Sequence, residues 1–241
     1  MFKSTKLRIL LSGVSIFMCS TYIQAKELPV AQEYIDLNHG LEHDLVTYPG
    51  LSEVKVFQKG ERFSNGALID GISFLGISST YIDAPFHVDE KGAKISDYSL
   101  EQLANLPIVV VQLPPNAMKF DVAAFKNVDV KGKAVLLYTG RDKYFGTKEY
   151  SNNPPFLTAS AAEWLVSQKV KFVGIDALLV DDFNNNSTVP VHNTLLKNGV
   201  VIAEDMAHID KVMGKKDAYL TAVPPRAPLT SFPTRIFATI Y

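Results

Sequence analysis

Cysteine is nearly absent from this chain: its 241 residues contain one, Cys19. That excludes a disulfide framework and a thiolate metal cage, so any metal falls to His, Asp or Glu. A basic excess is also missing, with 24 Lys and Arg against 25 Asp and Glu and a formal net charge of -1. Nucleic acid is therefore not an expected partner. No internal repeat, low-complexity tract or Gly-, Ser- or Pro-rich linker divides the sequence, and one globular domain is the simplest organisation. Long hydrophobic runs are lacking too. The run from Ile9 to Met18 is shorter than the roughly 20 apolar residues a spanning helix needs.

That run follows Lys3, Lys6 and Arg8 and leads to a small-residue end at Ala25. The pattern reads as a secretory signal peptide over residues 1–25, with a domain over 26–241. Cleavage after Ala25 would remove three cations and no acid, shifting the net charge to -4, and would take Cys19 with it. The expected location is periplasmic or secreted, with no membrane attachment after cleavage.

The remaining pattern mixes strands and helices. Tyr34–Asn38 and Leu68–Leu75 read as strands, the second leading into Ser79-Thr80-Tyr81-Ile82-Asp83-Ala84-Pro85-Phe86-His87. Ser99 with Gln102 forms a capping box for a short helix through Leu103. The continuous apolar runs Pro107–Leu113 and Ala134–Tyr138 suit strands buried on both faces. Thr158 can cap a helix whose apolar face carries Ala161, Ala162, Leu165 and Val166, and Lys171–Asp176 is the strand after it. Strand, helix and strand in that order predict a crossover unit. His192–Lys197 reads as a helix ending at Gly199, followed by a strand from Val200 to Ala203 and then Glu204. Thr234–Ile240 alternates as a last strand.

Chemistry concentrates in few places. Asp83 and His87 lie four residues apart around Pro85, and His192 precedes Glu204 by twelve. If the strand before Glu204 pairs beside Asp83, three oxygen and nitrogen ligands converge. Each element also has a plainer explanation: an Asp before Ala-Pro forms turns with its own backbone, and a His opening a helix often caps it. His43 follows the first strand in a loop that could approach the same site or be solvated. His39 and His208 are the remaining histidines. Phe74, Phe86 and Phe183 could line an apolar pocket or pack in the core.

Ile77-Ser78-Ser79-Thr80-Tyr81-Ile82-Asp83-Ala84-Pro85-Phe86-His87 resembles the signature His-x-Gly-Thr-His-x-Asp-x-Pro-x-His of the bacterial cyclase family, which includes metal-dependent kynurenine formamidases and isatin hydrolases. His192-Asn193-Thr194-Leu195-Leu196 through Glu204 matches a second family element. Tyr48-Pro49-Gly50, Tyr138-Thr139-Gly140, the helix around Trp164, Val173-Gly174-Ile175-Asp176 and Pro233-Thr234-Arg235 fall in the family's order. The resemblance implies an α/β, single-domain, layered β/β/α (swivelling, cyclase-like) fold and a homo-oligomer.

It also implies a metal-dependent hydrolase of an amide bond, an aryl formamide or a cyclic amide, acting on a small molecule with zinc or manganese as cofactor. Asp83, His192 and Glu204 map onto metal ligands and His87 onto a proton shuttle. Tyr81 and Phe86 stand where they could contact substrate. The chain departs from the signature where Ile77 and Tyr81 replace its two leading histidines and Ser79 its glycine. Those replacements keep open a second expectation, a small-molecule-binding protein of the same fold that has lost its metal and its catalysis.

Overall fold

The computed structural model describes residues 29–57, 64–185 and 187–241. The expected signal peptide lies outside them. Its strands are β1 (Glu33–Asp36), β2 (Lys55–Phe57), β3 (Gly71–Ser73), β4 (Tyr81–Asp83), β5 (Leu106–Gln112), β6 (Lys119–Phe120), β7 (Ala134–Tyr138), β8 (Phe156–Leu157), β9 (Phe172–Ile175), β10 (Val201–Glu204), β11 (Ala218–Ala222), β12 (Ser231–Pro233) and β13 (Ile236–Ile240). Its α-helices are α1 (Leu100–Leu103), α2 (Ala159–Ser167) and α3 (Pro190–Lys197).

Among the described residues, nine strands form one mixed sheet in the order β1-β13-β11-β5-β7-β9-β10-β4-β12. The middle, β5-β7-β9-β10, is parallel, and the flanking pairs are antiparallel. β7 and β9 are joined through α2, so the predicted crossover is present. Thr158 Oγ1 accepts from Ala161 N at 3.2 Å, satisfying one of the amides that a helix start leaves free. The capping box at α1 forms as its sequence requires, with Ser99 N donating to Gln102 Oε1 at 3.0 Å.

Alternation along β7 shows how the sheet divides the core. Ala134 and Leu136 enter one apolar cluster while Val135 and Leu137 enter another. The second cluster lies under the helices, joining Leu165 of α2 and Leu195 and Leu196 of α3 to Val173, Ile175 and Ile202. The first joins Ile82 of β4 to Ile35, Leu220, Ile236 and Ala238 from the opposite end of the strand order. A sheet whose two ends meet in one cluster is curled onto itself. The layers are therefore strand, strand and helix, in an α/β fold.

Two strand expectations change. Of Leu68–Leu75 only Gly71–Ser73 is extended, and it pairs with β2 in a hairpin outside the main sheet. Phe57 and Ile72 there are 55% and 44% exposed. Alternation signals a half-buried strand, and here no layer among the described residues covers the apolar face. β5 is buried on both faces only in part, with Ile108, Val109 and Val110 half-buried. It pairs along its length with β7 but with β11 only at Leu106 and Pro107.

Candidate metal centre

The pairing of β10 with β4 builds the site. Their antiparallel register sets Ile202 opposite Asp83 and Glu204 opposite Tyr81. Residues two apart on a strand share a face, so Tyr81, Asp83 and Glu204 project together toward the helical layer. α3 brings His192 to the same point. Its Nε2 lies 3.6 Å from Asp83 Oδ2 and 3.4 Å from Glu204 Oε1. All three side chains are buried, Asp83 and Glu204 with no exposed surface. The strand that sequence reasoning needed beside Asp83 is the strand that is there, and Asp83 belongs to β4 rather than to a self-bonded turn.

Each carboxylate is oriented by the protein. Ser231 Oγ donates to Asp83 Oδ1 at 2.5 Å, whereas Asp83 Oδ2 is buried without a hydrogen-bond partner among the described residues. Glu204 Oε1 accepts from Val180 N at 2.6 Å, and its Oε2 accepts from the Tyr81 hydroxyl. Burial, followed by the fields of Glu204, Asp83 and Asp205, holds the Tyr81 phenol well above its ordinary pKa. Tyr81 is thus a neutral donor.

His192 is held from behind by Asp181. Its Nδ1 stands 2.6 Å from Asp181 Oδ2, and the same carboxylate accepts from Val191 N at 2.8 Å and His192 N at 3.0 Å. One acidic side chain therefore caps α3 beside Pro190, where the dipole favours negative charge, and leaves Nε2 facing Asp83 and Glu204. Burial works against the charged imidazole. The Glu204 charge and the facing carboxylates of Asp181, Asp83 and Glu204 outweigh it and raise His192 well above the usual imidazole range.

His87 ends the short 3-10 turn Pro85–His87 that follows β4 and is exposed. Its ring centroid is 5.6 Å from that of His192, tilted by 49°. Ligating atoms of Asp83, His87 and His192 all lie within 4.8 Å of one another, the group among the described residues that meets this closeness. A buried oxygen with no partner, two imidazoles and a neighbouring carboxylate suit zinc or a similar divalent ion. The chemistry of the donors thus fits a metal.

Other expected residues fall elsewhere. Phe86 is half-buried with Lys94 Nζ 4.8 Å from its ring centre. Phe74 packs edge-on against Phe232, and Phe183 against Tyr48. His43 is tied into its own loop, accepting from Val56 N at 2.9 Å and lying 3.2 Å from Asp44 Oδ1. His39 stacks on Phe145 at 3.8 Å. His208 precedes the 3-10 turn Ile209–Val212, and its Nδ1 is 3.1 Å from Asp36 O.

Sequence reasoning missed Asp181, Ser231 and the buried pair Tyr150–Asp205, whose hydroxyl-to-Oδ1 distance is 2.8 Å. Burial pushes the Asp205 carboxyl well above the usual range. The signal for Asp181 was its position directly after the apolar run Ala177–Val180. Nothing in the spacing to His192 identified it.

Comparison with known proteins agrees with the fold. The putative cyclase family profile matches residues 35–182. A kynurenine formamidase of Bacillus cereus is 26% identical over 176 residues, covering 72% of this chain and 82% of that protein. An isatin hydrolase bound to the product analogue thioisatinate superposes with a TM-score of 0.76 at 20% identity, covering 86% of this chain and 92% of that one. A structure described as a potential metal-dependent hydrolase with cyclase activity gives a TM-score of 0.70, again at 20% identity, over 87% and 98% of the two chains. With a curled mixed sheet, the Asp83–His192–Glu204 convergence and a profile match across more than half its length, the chain belongs to the cyclase family.

Proposed function

We propose that the protein is a metal-dependent hydrolase of a small amide, an aryl formamide or a cyclic amide, working at Asp83, His192, Glu204 and His87. The observation that carries this reading is the buried Oδ2 of Asp83, without a hydrogen-bond partner among the described residues, beside Nε2 of His192. An acceptor in that position is costly unless a cation or donor meets it. The hydrolytic names of the formamidase and isatin hydrolase relatives support the same class.

Asp83 and His192 would hold the ion, with Glu204 beside them. When bound, such an ion polarises a carbonyl and makes water nucleophilic near neutral pH. Water would add its oxygen to the amide carbon, the C–N bond would break, and the nitrogen would leave that carbon with one of the water's protons, as a free amine from a formamide or still tethered in an opened cyclic amide. His87, exposed and with a ring nitrogen within 4.8 Å of Asp83 and His192, would carry that proton between site and solvent. Tyr150, bonded to Asp205 next to Glu204, also lines a cavity of about 550 Å³ with Val46, Thr47 and Pro49.

The rival reading is a binding protein without catalysis. The Tyr81 hydroxyl on Glu204 favours it, because it satisfies one Glu204 oxygen without a metal. Hydrolysis of an aryl formamide and of a cyclic amide, each with added zinc or manganese and with chelator, separates the two. Turnover of either that chelator abolishes and metal restores supports the hydrolase. Absence of turnover on both, with no metal retained, supports the binder. Periplasmic or secreted location and homo-oligomerisation remain part of the proposal, read from residues 1–25 and from the family respectively.

A further inference from the structure

We propose that His87 is itself a metal ligand in this chain, forming with Asp83 and His192 an inner set of two imidazoles and one carboxylate, with Glu204 held beside it by Tyr81. This rests on the metal-site reading above and changes one assignment within it, since the family resemblance gives His87 proton transfer alone.

The first ground is closeness. Two ligands each roughly 2.0–2.2 Å from one ion stand no more than about 4.4 Å apart. Asp83, His87 and His192 already place ligating atoms within 4.8 Å of one another, so small side-chain rotations close the set. The second ground is the Asp83 Oδ2 atom, buried, without a hydrogen-bond partner among the described residues, and 3.6 Å from Nε2 of His192. The third is ring geometry: at 5.6 Å between centroids and 49° tilt, the imidazoles of His87 and His192 are neither stacked nor turned flat against each other. Each offers a ring nitrogen within 4.8 Å of the other's and of an Asp83 oxygen.

The altered half of the signature supplies the reason for the exchange. Ile77 offers no donor, and Tyr81 spends its hydroxyl on Glu204 Oε2 while Val180 N takes Oε1. Protein donors thus orient Glu204 on both oxygens. Among the described residues His87 has no such bond to hold it: it is exposed, on a turn fixed through Phe86 N to Ala93 O at 2.8 Å. Two imidazoles and one carboxylate with a position open to solvent is a set that suits catalytic zinc.

X-ray absorption on the zinc-loaded protein counts coordinated imidazoles, and calorimetric titration gives affinity. The expected result is two imidazoles in the wild type and in Glu204→Gln, and one in His87→Gln. His87→Gln should also bind zinc more than about 100-fold more weakly, beyond the range of outer-shell effects. Because His87 is exposed, that variant should keep the wild-type unfolding temperature. One imidazole in the zinc-loaded wild type, unchanged in His87→Gln, overturns the assignment and leaves the metal site standing. Failure of the wild type to bind zinc removes the metal-site reading itself.

Discussion

The Asp181 carboxylate reaches Nδ1 of His192 at 2.6 Å while closing the first turn of α3 through the amides of Val191 and His192. Orientation of the imidazole and start of the helix therefore depend on one side chain. Asp181→Ala should cost about 1–2 kcal/mol in urea unfolding, the range of a lost helix cap. It should also weaken metal binding by roughly 10–100-fold. Asp181→Asn keeps an oxygen for the helix but not the charge on Nδ1, so its metal loss should exceed its stability loss.

Tyr81 faces Glu204 across the β4–β10 pair, and both are buried. Tyr81→Phe leaves the ring and removes the donor to Oε2. An orphaned buried acceptor costs about 1–3 kcal/mol. Chemical denaturation should show a loss of that size with little change in slope. An unchanged midpoint would mean that water replaces the hydroxyl there.

His39 carries a pH dependence unrelated to the metal group. Burial, against the field of Asp142 and with that of His208, lowers its pKa to about 4. The unfolded chain takes up this proton near pH 6.5 and the folded chain only near 4, so stability should fall as pH drops through that window. In His39→Phe, which can still stack on Phe145, the melting temperature should depend less on pH between about 4 and 6.5. Equal slopes in both proteins would place the acid sensitivity elsewhere.

Gly92 lies against the turn that carries His87. A Cβ there would stand 2.6 Å from Pro85 C and 2.8 Å from Phe86 N, backbone atoms that cannot rotate away. Gly92→Ala should lower stability by about 1–3 kcal/mol, as overpacking does. It should also shift the backbone resonances of Pro85–His87 more than those of α3, which nuclear magnetic resonance can check.

Much of this site was legible in the sequence because its parts are local. The Asp83-Ala84-Pro85-Phe86-His87 run and the His192-to-Glu204 interval each lie within one strand–turn or helix–strand unit. The apolar runs at Ala134 and Lys171 likewise specified the crossover. What escaped was set by tertiary packing. Asp181 meets His192 because the loop after β9 folds over the start of α3, and Ser231 meets Asp83 because β12 pairs with β4. Neither contact has a period or spacing that a single sequence displays. The Leu68–Leu75 strand was overextended for the complementary reason, since alternation cannot report whether a covering layer exists.

Calorimetric titration of zinc or manganese into the wild-type protein, with Asp83→Asn and His192→Gln alongside, tests the metal site most directly. The expected result is saturable binding of one ion per chain in the wild type and its loss in both variants, with all three proteins folded. A wild-type protein that binds neither ion, or variants that bind as tightly as it does, would contradict a metal centre at Asp83 and His192.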